Sequence, residues 1–127
     1  MVVDTSALVA IILEEPGHDS LGRKILESEA VMAAPNVLEA HMVLAKFLGP
    51  DVGLVLKTQL AELGITVIPF TSIHAVAASE AFERYGKGRH PASLNFGDCM
   101  AYALAKVAGA PILFTGNDFT RTDILLP

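Results

Sequence analysis

Apolar positions along this chain fall into short continuous runs separated by longer stretches of helical periodicity. The runs are Val2-Val3, Ala30 to Ala34, Ile65 to Ile68, and Pro111 to Thr115. Each is bounded by turn or capping residues, as buried strands are. Between them, Leu8, Val9, Ile11 and Ile12 mark a helix over Ser6 to Glu14, and Leu21, Ile25 and Leu26 mark another over about Asp19 to Ser28. Leu38, Met42, Ala45 and Phe47-Leu48 carry a third from Asn36 to Gly49-Pro50. Asp51 is placed to cap a helix through Leu63, Thr71-Ser72 to open one that reaches Tyr85, and Asn95 or Ser93 to cap one over Phe96 to Ala108. The tail, Ile124-Leu125-Leu126, offers a short edge strand.

Strands that are apolar throughout, alternating with helices, predict an α/β fold with a mostly parallel sheet in a three-layer α/β/α sandwich. With 127 residues and no repeat or linker, the chain reads as one domain over 1–127. An apolar fraction of 52% is high for that size, which points to strands covered on both faces and to apolar surface kept for a partner. No apolar run approaches the ~18 residues of a membrane span. No leader with a basic start is legible, and the single cysteine, Cys99, excludes an internal disulfide or a cysteine metal cage. A cytoplasmic protein is the expectation. The net charge of −5 excludes a general nucleic-acid-coating protein. It leaves room for a local basic loop, where Arg84, Lys87 and Arg89 precede His90 without an intervening acid. That loop is either a solvated surface or a local binding patch.

The candidate chemistry lies in four acids. A helix that follows a parallel strand starts at the carboxyl edge of the sheet, where ligands of such folds sit. Asp4 ends the first strand, before a Thr5-Ser6 helix cap. Glu39 falls in the first turn of the helix after the second strand. Asp98 falls in the first turn of the helix before the fourth, and Asp118 in the turn after it. Each alone has a local explanation: Glu39 as capping partner of Asn36, Asp98 as that of Asn95, Asp118 as turn chemistry. Capping does not explain why all four reach one edge. Gathered carboxylates repel one another unless a cation relieves them, and carboxylate oxygens suit Mg²⁺ or Mn²⁺. Phosphodiester hydrolysis is the chemistry such a site serves. The hydroxyls of Ser6 and Thr115 are candidates to orient a water or a phosphate. His41 and His74 read as satisfied histidines, and Cys99 as a small buried residue.

Val2-Val3-Asp4-Thr5-Ser6-Ala7-Leu8, the Glu39 helix, Asn95-Phe96-Gly97-Asp98-Cys99 and Leu113-Phe114-Thr115-Gly116-Asn117-Asp118-Phe119 together resemble the PIN-domain ribonucleases, specifically VapC-like toxins of bacterial toxin-antitoxin pairs. The resemblance spans essentially the whole chain. It implies a sheet of about five parallel strands, Mg²⁺- or Mn²⁺-dependent endoribonuclease activity, a homodimer, and a cognate antitoxin that occupies the acidic groove. It assigns the family's acids to Asp4, Glu39, Asp98 and Asp118, with Asp4, Asp98 and Asp118 toward the metal and Thr115 at the small polar position. Asp123 competes with Asp118 as the fourth acid. The helices from Val37 to Leu63 are the candidate antitoxin or dimer surface. A phosphoaspartyl domain is the competing enzyme or signalling reading, but Ser6 stands where a second acid would be needed. A non-catalytic interaction module on the same fold is the third.

Overall fold

Four strands, all parallel, make a sheet with the spatial order β3-β2-β1-β4 in a computed structural model that describes residues 1–127. They are β1 (Val2–Val3), β2 (Val31–Ala33), β3 (Thr66–Ile68) and β4 (Ile112–Leu113). Helices α1 (Thr5–Ile12) and α2 (His18–Leu26) connect β1 to β2, and α3 (Ala34–Leu48) and α4 (Val52–Glu62) connect β2 to β3. Helices α5 (Ser72–Tyr85) and α6 (Phe96–Ala108) then carry the chain back past β1 to β4. The strand order therefore reverses at β1, and a reversal of this kind opens a crevice at the carboxyl ends of the flanking strands.

Successive residues of each strand enter opposite cores. Val2, Ala33 and Ile112 pack with Ala81, Tyr85, Tyr102 and Leu104 of α5 and α6. Val3, Met32 and Leu113 pack with Leu8, Ile25, Leu44 and Leu56 of α1 to α4. Side chains alternate across a strand, so a sheet sandwiched between two helix layers has no polar face to display. The three-layer sandwich follows. The edge strand β3 departs from it, with Thr66 and Val67 exposed.

The expected fifth strand does not form, and the sheet has four. The tail runs beside β4 but joins it through one backbone bond, from the Ile112 N–H to the Leu125 carbonyl at 3.2 Å. The tail is held instead to the helix layer: Ile124 is buried in the α5–α6 core, and Asp123 bonds to two side chains of α6. Pairing in β4 spans two residues of the predicted five. Asp51 precedes α4 but makes no capping bond, because a 3₁₀ turn over Gly49–Asp51 already leads the chain into the helix. No helix is long and apolar enough to cross a membrane.

Candidate active site

Asp4 leaves β1 with extended backbone and itself caps α1. Its Oδ2 accepts from the Ser6 N–H at 3.0 Å and from the Ser6 hydroxyl at 2.6 Å. The cap assigned to Thr5-Ser6 thus belongs one residue earlier, where an acid ends a strand and its carboxylate meets the free N–H groups of the next helix. Thr5 lies within α1 and donates its hydroxyl to the Asn36 carbonyl at 3.1 Å. The Ser6 hydroxyl, its proton committed to Asp4, accepts from the Thr115 N–H at 3.0 Å and so ties the end of β1 to the end of β4. The other oxygen of Asp4, Oδ1, is buried without a protein partner.

Asp98 is the third residue of α6 and forms a reciprocal cap with Asn95. The Asn95 Oδ1 accepts from the Asp98 N–H at 2.9 Å, and the Asp98 Oδ2 accepts from the Asn95 N–H at 3.0 Å. The sequence motif Asn95-Phe96-Gly97-Asp98 therefore encodes the helix start and places the acid at the crevice together.

Glu39 stands in the second turn of α3, not the first. The helix begins at Ala34, inside the run read as a strand, because Pro35 is accommodated in the first turn, where a missing N–H costs nothing. No capping box forms there. The Asn36 Nδ2 instead donates to the Glu39 Oε1 at 3.3 Å. Asp118 opens a 3₁₀ turn, Asp118–Arg121, after β4 and is exposed.

These four elements deliver all four acids to one crevice of about 240 Å³, lined also by Thr5, Ser6 and Asn95, with no basic side chain among its walls. Burial pushes the Asp4 carboxyl up to about 6; the Ser6 bonds oppose this and the Glu39 charge adds to it. Burial likewise lifts Asp98 to about 7, opposed by the Asn95 N–H and reinforced by the charges of Asp4, Asp118 and Glu39. The crevice thus holds more negative charge than its surroundings offset. No three of its acids stand close enough to grip an ion unaided. Mg²⁺ does not require that, since it usually takes one or two protein carboxylates and keeps several waters. A buried carboxylate oxygen without a partner, beside an acid lifted by burial and by its neighbours' charge, fits such an ion.

A PIN-domain family model matches residues 1–125. The chain belongs to the PIN-domain family. Among relatives, Ribonuclease VapC36 of Mycobacterium tuberculosis is 46% identical over 126 residues, covering 98% of this chain and 91% of that one. Ribonuclease VapC of Mycolicibacterium smegmatis is 42% identical over 125 residues, covering 98% of this chain and 97% of that one. These identities place this PIN domain among the VapC ribonucleases. The fold is similar to the crystal structure of Mycobacterium tuberculosis VapC20, titled a sarcin-ricin loop cleaving toxin. The TM-score there is 0.78 at 16% identity, over 98% of this chain and 95% of that one.

Asp123, the competitor for the fourth acid, lies outside the crevice of this PIN domain. It accepts from the Tyr102 hydroxyl at 2.6 Å and from the Lys106 Nζ at 2.7 Å, with Arg84 at 3.7 Å. The bonds from Lys106 and Tyr102 hold its carboxyl down at about 2. Asp123 anchors the tail, and Asp118 is the acid that lines the crevice. In the basic loop, Arg84 reaches Asp123 and lies over the Tyr85 ring, while Arg89 pairs with Glu83 at 3.2 Å and lies over the Phe82 ring. Lys87 makes no ion pair. His74 is buried and caps α5 by accepting from the Thr71 N–H at 3.0 Å. Burial raises the Cys99 thiol to about 11, which leaves it unreactive at neutral pH.

Two residues at the site escape a reading of the sequence. Asn36 figures there only as a cap partner, yet it is buried to 1% and bonds across to α6. Gly97 is read only as part of a motif. The signal for it was a glycine inside the first turn of a helix, which weakens the helix and so marks a close approach. Beside Glu39, a groove lined by Leu38, Met42, Phe96 and Met100, with Lys46 among its walls, forms an apolar flank to the acids.

Proposed function

We propose that this PIN domain hydrolyses RNA phosphodiester bonds at the four-acid crevice, with Mg²⁺ or Mn²⁺ as cofactor, as the toxin of a toxin-antitoxin pair. The observation that carries the proposal is the convergence of Asp4, Glu39, Asp98 and Asp118 from four elements on one crevice that contains no cation of its own. Asp4 and Asp98 would hold the ion, with Asp118 toward it from the exposed rim. Such an ion lowers the pKa of water and neutralises charge that develops on the phosphoryl oxygens and the leaving group. Glu39 orients the attacking water and receives its proton. The Thr115 hydroxyl, at the exposed end of β4, orients water or a phosphate oxygen, whereas Ser6 serves by fixing Asp4 and the β4 end. The Asp98 cap brings the N-terminus of α6 to the crevice, an end that favours phosphate.

Lys87 is the RNA-backbone contact best supported in the basic loop, since Arg84 and Arg89 already have intramolecular partners. The exposed Leu38 and Met42 of α3 and Phe96 of α6 support an antitoxin segment seated beside the acids. Leu44, Val52 and Leu56, within the stretch from Val37 to Leu63, are core and serve no partner. Phe47 and Leu54 remain exposed on that stretch and are the candidate homodimer surface.

The test is cleavage of structured and unstructured RNAs by purified protein in Mg²⁺, Mn²⁺ or EDTA, beside Asp98→Asn. The variant can keep the Asn95 cap, because an amide oxygen accepts as a carboxylate does. Cleavage should require the metal and fall by more than about a hundredfold in the folded variant, the scale of losing one charge-stabilising group. Cleavage in EDTA, or an undiminished rate in the variant, would overturn the proposal.

A further inference from the structure

We propose that Asn36 and Gly97 form a latch that fixes the Glu39 carboxylate against the first turn of α6, which makes Asn36 a positioning residue for RNA cleavage. The functional half of this inference rests on the role given to Glu39 above. The geometric half stands on its own.

Glu39 projects from the second turn of a helix, half-buried, on a side chain with three rotatable torsions. Something must choose among its rotamers. Asn36, one turn earlier on α3, is buried to 1% and donates through Nδ2 both to the Glu39 Oε1 at 3.3 Å and to the Gly97 carbonyl at 3.0 Å. Both neighbours only accept, so the amide can face them only with its NH₂ group. Its main-chain carbonyl accepts from Thr5, the residue after Asp4. One residue therefore joins α1, α3 and α6, the helices that position Asp4, Glu39 and Asp98.

Gly97 completes the latch by lacking a side chain. A Cβ there would fall on the Glu39 carboxylate, colliding with its Cδ and both of its oxygens. The carboxylate occupies the space a side chain would fill, flat against the α6 backbone one residue before Asp98. Simple helix packing does not account for these choices. A buried amide that leaves its own Oδ1 without a partner costs free energy relative to an apolar residue, and glycine in a first turn weakens the helix it opens. Both choices become intelligible if the quantity being set is the place of Glu39.

The experiment compares Asn36→Ala, Asn36→Ser and Gly97→Ala, each alone and combined with Glu39→Gln. It uses single-turnover RNA cleavage in Mn²⁺, Mn²⁺ affinity by calorimetry, thermal unfolding, and solvent exchange of the Asn36 side-chain amide by NMR. In the unsubstituted protein that amide should be strongly protected, and Gly97→Ala should remove the protection while the protein stays folded. Gly97→Ala and Asn36→Ala should each lower the cleavage step by about 10- to 100-fold, the range for residues that orient a site from behind. RNA affinity should be unchanged, and neither substitution should lower the rate further once Glu39→Gln is present. Asn36→Ser covers the case in which Asn36→Ala fails to fold. An equal loss in the Glu39→Gln background would mean that Asn36 acts through the fold and not through Glu39, and would overturn the inference. So would an unprotected amide or full activity in Gly97→Ala. If no RNA is cut under any metal but the amide responds as described, the latch stands and the nuclease reading falls.

Discussion

A carboxylate can satisfy a helix end with one oxygen and leave the other for a ligand, and Asp4 and Asp98 are both built this way. In each, Oδ2 receives the N–H of the cap, while Oδ1 makes no bond within the protein. Capping and chemistry are therefore not rival explanations of these acids. Their proton affinities carry a consequence for pH. Both folded values, about 6 and about 7, lie above the ordinary 3.8, so the folded protein binds protons that the unfolded chain has released. Without metal, stability should fall as pH rises from about 4 to about 7, and each pK unit is worth at most about 1.4 kcal/mol. Thermal unfolding from pH 4 to 8 in EDTA should show this decline. Added Mn²⁺ should reverse it above pH 7 and do little at pH 5, where protons compete for the same oxygens. A Tm in EDTA that rises steadily across that range would refute the assignment.

Among the elements, the tail and α6 show how an acid can look catalytic and be structural. Asp123 lies near the last motif and carries the same side chain as Asp118, but Tyr102 and Lys106 claim it. Asp123→Asn should lower stability by about 1 kcal/mol, a few degrees in Tm for a chain of this size, and leave Mn²⁺ affinity unchanged. Loss of metal affinity in that variant would return Asp123 to the site. Most of the architecture was legible because its signals are local: Gly49-Pro50 ends one helix, Asn95 opens another, and short apolar runs mark β1 to β4. The boundary errors share a cause. Pro35 can end a strand or begin a helix, and the choice placed Glu39 one turn further along α3. The tail has strand-like composition, yet a long-range contact from Asp123 to α6 decides its path. No local pattern contains that contact. Asn36 was illegible for the same reason, and Gly97 signalled a close approach without naming its partner, since their meaning lies in a meeting between residues 61 positions apart.

For the whole molecule, a net charge of −5 sets RNA against a repulsive background, so binding must depend on a few local contacts and, in the proposed function, on the metal. Lys87→Glu should weaken RNA binding and reduce the salt dependence of the binding constant by about one in slope, with Mn²⁺ affinity unchanged. Binding that does not respond would return the loop to a solvated surface. The apolar excess is now accounted for in two parts: strands buried between two helix layers, and exposed side chains such as Leu38, Met42 and Phe96 beside the crevice. The strand order has a further implication for synthesis. The chain builds β1, β2 and β3 with their helices first, and β4 takes its place against β1 only after α6 has been made. Domains form from the N-terminal side as they emerge from the ribosome. A growing chain thus carries Asp4, Glu39 and Asp98 well before it has Asp118 or the Thr115 N–H that closes onto Ser6. Until β4 arrives, an unfinished polypeptide lacks one wall of its four-acid crevice.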